Sequence, residues 1–358
     1  METPRGPEST RLADLGWDEE FARGFEPWRD DADVQPGRVA IGFNYIYRVY
    51  VAGGELDAVL SGRLKHRATS RGELPSVGDW VAIRRRPRQD RGAVVAVLPR
   101  RSRFSRRMAG NVTDEQVVAA NAGVLFVVMA LDADFSLRRL ERYLLLARES
   151  GASPVVLLTK PDLADDPAGR QAEVRKVAGG APVHVVTPVL GEGIDTIGGY
   201  LPRGRTGALV GSSGVGKTTI INRLLGADIH KTREVRERDS KGRHTTTHRE
   251  LIVLPGGGLI IDTPGMRELQ LWDAAEAVRG TFEDVDDLAR GCHFTDCRHR
   301  GEPKCAVKAA VEDGRLDTGR LESYLKLQDE LVALGKQQDA RAEIEEKRRS
   351  KSGKGARR

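Results

Sequence analysis

The segment Gly211–Thr218 has the spacing of a phosphate-binding loop, because a glycine is followed by four residues and then by Gly-Lys-Thr. In such a loop, backbone N–H groups converge on phosphate oxygens, and the helix that follows adds the positive end of its dipole. We expect Lys217 to bridge the outer phosphates and Thr218 to place its hydroxyl oxygen on Mg²⁺. The apolar residues on both sides favour this function over an ordinary glycine-rich loop. The expected phosphate-binding residues are Gly211, Ser212, Ser213, Gly214, Val215, Gly216, Lys217, Thr218 and Thr219.

The segment Thr159-Lys160-Pro161-Asp162 follows an apolar run, Val155–Leu158, and predicts base recognition. A carboxylate at Asp162 can accept hydrogen bonds from the N1–H and the amino group of guanine. Adenine presents an acceptor at N1 and would leave that carboxylate unpaired. The stem of Lys160 can lie over the base ring, and Thr159 stands where asparagine is more usual. These residues predict a guanine nucleotide.

A third motif, Asp262-Thr263-Pro264-Gly265, supplies groups that face the metal and the γ-phosphate of a bound nucleotide. We expect Asp262 to hold a Mg²⁺-bound water and the Gly265 amide to contact the γ-phosphate. One threonine hydroxyl of the preceding segment, Gly242–Thr247, should complete the Mg²⁺ shell. Three threonines are candidates, and Thr246 is favoured.

Met266 follows Gly265, where many GTPases have a glutamine that orients the attacking water. Methionine cannot orient water, so hydrolysis should be slow or should use another group. His244 is the local candidate, since an imidazole can orient or deprotonate water near neutral pH. On residue chemistry alone, His244 is equally well explained as a group that acts on the attacking water or as a simple loop residue. Lys217 is the other residue expected to be catalytic.

All three cysteines lie close together in the pattern Cys-x4-Cys-x-His-x5-Cys, formed by Cys292, Cys297, His299 and Cys305. Three thiolates and one imidazole make a closed tetrahedral zinc shell with no position for water, so we expect one structural Zn²⁺. His293 is a rival ligand, but its adjacency to Cys292 makes the geometry awkward. The alternative is a set of reduced cysteines in a helical core.

The order of the motifs along the chain is rotated, because the base motif precedes the phosphate loop instead of following it. Apolar runs such as Val124–Ala130 predict parallel strands buried on both faces, and Leu137–Glu149 predicts a helix between two of them. Strands that alternate with helices indicate an α/β sheet with its ligand at the carboxyl ends of the strands. We therefore expect a circularly permuted P-loop GTPase domain.

The segments outside this domain differ in character. Gly37–Leu98 contains short alternating strands with glycine-rich breaks, which favour a small all-β barrel of the OB-fold type.

The first ten residues lack the pattern of a secretory signal, and no apolar run reaches the length of a membrane span, so we expect a cytoplasmic protein. Arginine clusters at 84–91 and 100–107 and a basic tail at 347–358 suit a phosphate backbone or a solvated surface, and both readings stay open.

Together the rotated order, the Gly-Arg-His-Thr-Thr-Thr run at 242–247 and the Cys/His cluster resemble the bacterial ribosome small-subunit-dependent GTPase A family. The resemblance also includes the runs 116–121 and 137–143. It implies an N-terminal OB-fold, GTP hydrolysis stimulated by the 30S subunit, and a role in late 30S maturation on 16S rRNA. It further implies that His244 assists hydrolysis. Two features depart from the family: Val186-Thr187-Pro188 replaces a Ser-Ala-type base motif, and the basic tail is additional.

The expected function is that of a monomeric GTPase, converting GTP to GDP and phosphate, that acts as an assembly factor. The alternatives are a non-catalytic RNA-binding module with a degenerate nucleotide fold and an ATPase or nucleotide kinase. Intact Lys217, Asp162 and Asp262 argue against both. The predicted domains are an arm at 1–35, an OB-fold RNA-binding domain at 36–100, the GTPase domain at 110–273, a helical zinc-binding domain at 274–335 and a basic tail at 336–358.

Overall fold

A computed structural model describes residues 11–43, 45–85, 91–107, 115–226, 249–263, 282–329 and 332. The chain divides into two compact units, one formed by Met1–Arg106 with Asp114–Leu269 and the other by Arg107–Thr113 with Gln270–Arg358. The strands are β1 (Val34–Phe43), β2 (Ile46–Val51), β3 (Gly54–Leu60), β4 (Trp80–Arg84), β5 (Arg91–Val97), β6 (Arg103–Arg107), β7 (Glu115–Ala120), β8 (Val124–Ala130), β9 (Ser153–Thr159), β10 (Val183–Val185), β11 (Thr206–Val210), β12 (Glu250–Val253) and β13 (Leu259–Asp262). The helices are α1 (Glu19–Phe25), α2 (Gly62–Arg67), α3 (Leu137–Ser150), α4 (Pro167–Val177), α5 (Ile194–Gly199), α6 (Lys217–Leu225), α7 (Glu283–Ala289), α8 (Ala306–Glu312) and α9 (318–329).

The first five strands close into a barrel in the order β1-β2-β3-β5-β4, because β4 also pairs with β1. Every second side chain faces inward, so Val39, Val49, Val81, Ile83 and Val94 are fully buried inside it. Closure leaves no unpaired strand edge within the barrel. The predicted barrel of the OB-fold type is confirmed.

The sheet that follows has the order β10-β9-β8-β11-β13-β12, with β8 to β11 and β13 parallel and β12 antiparallel. All side chains of β8 are buried, as the unbroken apolar run predicts. Leu125 and Val127 of β8 belong to the hydrophobic cluster that contains Leu140 of α3. Phe126 and Val128 belong to the cluster on the other face, with Ile220 of α6. Helices therefore cover both faces of the sheet, as in α/β domains.

Barrel and sheet are joined within the first unit. Ile41 of β1 pairs with Glu250 of β12, so the barrel adds directly to the edge of the α/β sheet. The hydroxyl of Tyr50 on β2 donates to the carbonyl of Leu251 at 3.2 Å. These contacts make the two β structures one continuous hydrogen-bonded body.

A buried guanidinium strengthens this junction. Arg38 of β1 is 2% exposed and donates to the backbone carbonyls of Leu15, Gly78 and Asn121. Burial lowers the pKa of Arg38 to about 9. The three carbonyls belong to the N-terminal segment, the barrel and the residue after β7, so one side chain holds three parts of the chain together. The N-terminal segment also packs through Trp17 and Phe21 against Trp80, with ring centroids 4.8 and 5.7 Å apart.

In the second unit, α9 packs against Phe282, the residue that precedes α7. Phe282 is fully buried, makes an edge contact with Tyr324 of α9 at 5.5 Å, and lies under the guanidinium of Arg320 at 4.3 Å. Tyr324 and Leu327 of α9 are buried. None of the described helices combines the length and the apolar composition that a membrane span requires.

Candidate functional site

The parallel strands bring the predicted nucleotide motifs to one edge of the sheet. Ala130 of β8 pairs with Thr159 at the end of β9, and Val127 of β8 pairs with Val210 at the end of β11. Ala208 of β11 pairs with Ile261, one residue before Asp262. The base motif, the phosphate loop and Asp262 therefore leave the sheet side by side, where α/β sheets bind ligands.

The phosphate loop leaves β11 at a glycine that no other residue can replace without strain. Gly211 has φ +149°, and a Cβ there would lie 2.2 Å from the carbonyl oxygen of Val128. The loop ends where α6 begins at Lys217, so the helix N-terminus faces the loop. The Lys217 ammonium lies across the loop and donates to the carbonyls of Gly211 at 2.7 Å and Ser212 at 2.6 Å. This arrangement collects N–H donors and a cation in the way that anion sites require.

Thr159 links the base motif to the phosphate loop. It is 1% exposed, and its hydroxyl donates to the carbonyl of Val215 at 2.7 Å. The carbonyl of Met129 is farther away, at 3.5 Å. The Thr159 hydroxyl therefore donates its one proton to Val215 of the phosphate loop. This hydrogen bond joins the base motif directly to the phosphate loop, although the two motifs are far apart in sequence.

The other residues of the base motif lie at the surface. Lys160 has φ +54°, and its ammonium donates to Asp132 at 2.9 Å. Asp132 follows β8, and this hydrogen bond lowers the pKa of its carboxyl. Asp162 lies in the short 3₁₀ turn Pro161–Leu163 and is exposed. Its carboxylate is thus accessible to a base at the same edge.

An arginine that the motifs did not predict contacts the phosphate loop. Arg139, in the first turn of α3, donates to both carboxylate oxygens of Asp134 and to the hydroxyl of Ser212. The hydrogen bond from Arg139 lowers the pKa of Asp134. The phosphate loop is thus stabilised by Arg139 of α3 and by its own residue Lys217.

At the third motif, Asp262 ends β13 and is 6% exposed, and the next residue fixes the chain to the loop strand. The Thr263 hydroxyl donates to the carbonyl of Leu209 in β11 at 2.6 Å. Thr218, the predicted metal-facing hydroxyl, is half-buried in the first turn of α6. Gly265 and the switch segment, with the candidate residues His244 and Thr246, lie outside the described residues.

In the second unit, Cys292, Cys297, His299 and Cys305 converge, with their ligand atoms within 4.8 Å of one another. Nδ1 of His299 lies 3.6 Å from Sγ of Cys292 and 3.4 Å from Sγ of Cys305, and these two sulfurs are 3.9 Å apart. Zn–S bonds of about 2.3 Å in a tetrahedron require a sulfur–sulfur separation of roughly 3.8 Å. Burial lowers the pKa of His299, which favours the neutral imidazole that metals bind.

These four side chains could therefore hold a metal ion. Cys305 also caps α8 by accepting the N–H of Lys308. The rival, His293, is not in the cluster and packs its ring against Phe294.

Two arginines of the basic clusters stabilise the fold. Arg100 makes a bidentate pair with the fully buried Asp79, both bonds being 2.7 Å. Arg101 pairs with Asp18 and Glu20. Arg91 and Arg103 are exposed. Among the described side chains of the cluster at 100–107, Arg100 and Arg101 are therefore used in ion pairs within the fold.

Comparisons with known proteins identify relatives of this chain. The model of the RsgA GTPase family matches residues 97–272. The small ribosomal subunit biogenesis GTPase RsgA of Opitutus terrae is 48% identical over 344 residues, which cover 93% of this chain and 94% of the relative. The chain belongs to the RsgA GTPase family. A protein of the same name from Methanosarcina acetivorans is 45% identical and covers 94% of this chain and 88% of its own length.

Solved structures show the same fold. YjeQ from Thermotoga maritima is 26% identical with a TM-score of 0.60, covering 84% of this chain and 99% of its own. YloQ, described as a circularly permuted GTPase, is 23% identical with a TM-score of 0.58 and covers 85% of this chain and 97% of its own. The expected membership of the RsgA family and the expected permuted order are confirmed.

The contacts of Thr159 and Arg139 were not predicted from sequence. The sequence predicts Thr159 as a residue of the nucleotide site, with threonine in place of asparagine, but it gives no partner for the hydroxyl, which contacts the loop. For Arg139, the available signal is its place in the first turn of a helix that begins next to a sheet edge. That signal gives no partner, because Ser212 lies on a different segment.

Proposed function

We propose that this chain hydrolyses GTP to GDP and phosphate and that this activity serves late assembly of the small ribosomal subunit. The names of its relatives, small ribosomal subunit biogenesis GTPases, support the cellular role. We extend the role to association with the 30S subunit through 16S rRNA, as a monomer in the cytoplasm.

One observation carries the assignment of the nucleotide. The hydroxyl of Thr159 donates to the carbonyl of Val215, which couples the base motif to the phosphate loop within one hydrogen-bonded structure. A carboxylate that selects guanine and a loop that binds phosphates then act on a single ligand. Asp162 and Lys160 receive the base, and the loop residues with Lys217 receive the phosphates.

Catalysis in such a site depends mainly on positioning and on charge. Lys217 and the loop N–H groups stabilise the charge that develops on the phosphate oxygens. Mg²⁺ would neutralise part of that charge, and Thr218 and Asp262, with Thr246 as the favoured switch threonine, are the residues proposed to hold it. Gly265 is proposed to contact the γ-phosphate and His244 to orient the attacking water, since Met266 cannot.

For the cluster in the second unit we propose Zn²⁺. Three thiolates and one imidazole whose ligand atoms lie within 4.8 Å of one another suit a closed tetrahedral shell. Oxygen-preferring cations are disfavoured by this set of donors. The ion would act structurally, by joining the start of α8 to the loop that precedes it.

The experiment is a comparison of GTP and ATP hydrolysis with and without 30S subunits. We expect slow GTP turnover alone, faster turnover with 30S subunits, and negligible ATP turnover. Equal turnover of ATP would disprove the guanine assignment. GTP turnover that 30S subunits leave unchanged would disprove the ribosomal partner while leaving the GTPase assignment intact.

A further inference from the structure

The fifth strand of the barrel extends past the strand that covers it. β3 and β5 run parallel, and their pairing ends at Leu60, which lies opposite Val94. The N–H of Ser61 then donates to the carbonyl of Val94 at 3.0 Å, and the chain turns away into α2. Among the strands that the structure describes, none pairs with this side of β5 beyond Val94. The stretch 95–97 therefore continues past the closed part of the barrel, with β4 on one side only.

The alternation of the ladder between β4 and β5 shows which backbone groups face the open side. In an antiparallel pair, residues that exchange hydrogen bonds alternate with residues whose N–H and C=O groups point away from the partner strand. Leu98 donates to the carbonyl of Trp80 at 2.8 Å, and Val97 lies opposite Val81. The N–H and the carbonyl of Val97 therefore point away from β4, toward the side that β3 no longer covers.

A groove of about 750 Å³ lies along this edge. β5 contributes Val95, Ala96 and Val97 to its lining, and all three are half-buried. Trp28 of the N-terminal segment and Leu64 of α2 form apolar walls, and each also packs against a hydrophobic cluster of the barrel region. The groove is separate from the nucleotide edge, because its lining contains no residue of the three nucleotide motifs.

The charged side chains of the groove are mainly basic. Arg63 and Arg67 of α2 are exposed, and neither has an acidic partner among the described residues. Arg84 of β4 adds a third guanidinium, which pairs with Asp31 at 2.8 Å. The acid of the lining, Glu73, already accepts two hydrogen bonds from the threonine four residues before it. The groove therefore favours a ligand that carries negative charge.

A polypeptide strand satisfies such an edge better than a nucleic acid does. A peptide backbone offers donors and acceptors in alternation, whereas a phosphate backbone offers acceptors only and cannot pair with the Val97 carbonyl. An added strand also turns alternate side chains to opposite sides. Apolar side chains suit the walls formed by Trp28 and Leu64, and acidic side chains suit Arg63 and Arg67.

We propose that the edge of β5 at 95–97 is the docking site for an extended acidic segment of a partner protein. The segment adds to the barrel as a further strand, in the place that β3 leaves when it turns into α2. Its backbone pairs with Val97, and its acidic side chains meet Arg63 and Arg67. This proposal goes beyond GTP hydrolysis and does not depend on it, since it gives the chain a protein contact away from the nucleotide edge.

The test selects peptides from a displayed library of random octapeptides on the full chain and measures their Kd values by fluorescence anisotropy. We expect the enriched sequences to alternate acidic with apolar residues. Each enriched peptide is then methylated on every second backbone nitrogen, in either of the two possible sets. One set should weaken binding by at least about tenfold and the other by less than about threefold, because only one set faces the strand edge.

Charge reversal in the groove supplies the second test. Arg63→Glu combined with Arg67→Glu should weaken binding of the enriched peptides by about tenfold or more. Arg23→Glu combined with Arg175→Glu is the matched control, because it makes the same change of net charge at exposed positions outside the groove, and it should leave Kd within about twofold.

Three results would overturn the proposal. The first is an unchanged Kd in the variant with Arg63→Glu and Arg67→Glu, and the second is an equal loss for the two methylated sets on the intact chain. The third is a library that yields no enriched peptide. If a decauridylate RNA then binds the intact chain and loses affinity in the same double variant, the groove is a site for RNA instead.

Discussion

The nucleotide edge of the first unit and the Cys/His cluster of the second unit are built in different ways. The edge gathers residues from strands far apart in sequence, and most of its links are hydrogen bonds to backbone carbonyls, such as Thr159 to Val215 and Thr263 to Leu209. The cluster draws its four side chains from one short segment, Cys292–Cys305. The nucleotide edge therefore depends on a sheet that is already folded, and the Cys/His cluster would depend on the metal ion that we propose to join its residues.

The two sites also differ in the interactions that stabilise the structure around them. Hydrophobic layers on both faces of β8 stabilise the edge whether or not a nucleotide is bound. The described core of the second unit is small, with Phe282, Val285, Val307 and Ala310 among its fully buried residues. Small domains commonly need a metal or a disulfide to remain folded.

Removal of the proposed Zn²⁺ should have the largest effect of the changes considered. If it leaves the second unit folded, the contrast between the two sites is wrong. Structural zinc contributes about 10 kcal/mol or more in small zinc domains, so a strong chelator should unfold the second unit. Hydrogen exchange on the full chain should show lost protection in α8 and retained protection in β8 and β11. Cys305→Ser should reproduce the effect without chelator. An equal loss of protection in α8 and in β8 and β11 would contradict a stabilising effect of the metal that is confined to the second unit.

Lys217→Ala should have the next largest effect, on activity and not on folding. Removing one preorganised donor to a developing oxyanion typically costs about a hundredfold to a thousandfold in rate. The thermal unfolding midpoint should change little, because the Lys217 ammonium donates to carbonyls of the loop itself, those of Gly211 and Ser212. Single-turnover GTP hydrolysis measures the first quantity and calorimetry the second. Arg175→Ala, an exposed cation on α4, is the control. Unchanged turnover would refute the phosphate-loop assignment.

Thr159→Val tests the link between the base motif and the loop. The substitution preserves the shape but leaves the buried carbonyl of Val215 without its donor, which costs about 1–3 kcal/mol. If nucleotide binding needs the loop in this position, GDP affinity should fall by about fivefold to a hundredfold. Thr159→Ser keeps the hydroxyl and should lose much less. A loss in Thr159→Ser as large as that in Thr159→Val would contradict a specific role of the hydroxyl, because serine keeps it.

The same contrast explains what sequence could predict. The cluster was found completely, because ligand types and spacing within one segment define a tetrahedral shell. The phosphate loop, the barrel and the strand β8 were also predicted, since each depends on local pattern. The role of Thr159 and the contact of Arg139 with Ser212 were not, because each joins segments whose proximity only the folded sheet provides. Tertiary contacts of this kind leave no periodic signal in the sequence.

Arg139→Ala should have the smallest effect and thereby sharpen the distinction between groups that hold the loop and groups that bind the nucleotide. The side chains of Arg139 and Asp134 are 34% and 54% exposed, and an exposed pair contributes at most about 1 kcal/mol. GDP affinity should therefore fall by less than about fivefold, and the loss should shrink at high salt because exposed charges are screened. Ser212→Ala, combined with Arg139→Ala, should add little, since both remove the same contact. A loss greater than about fiftyfold would place Arg139 on the nucleotide itself.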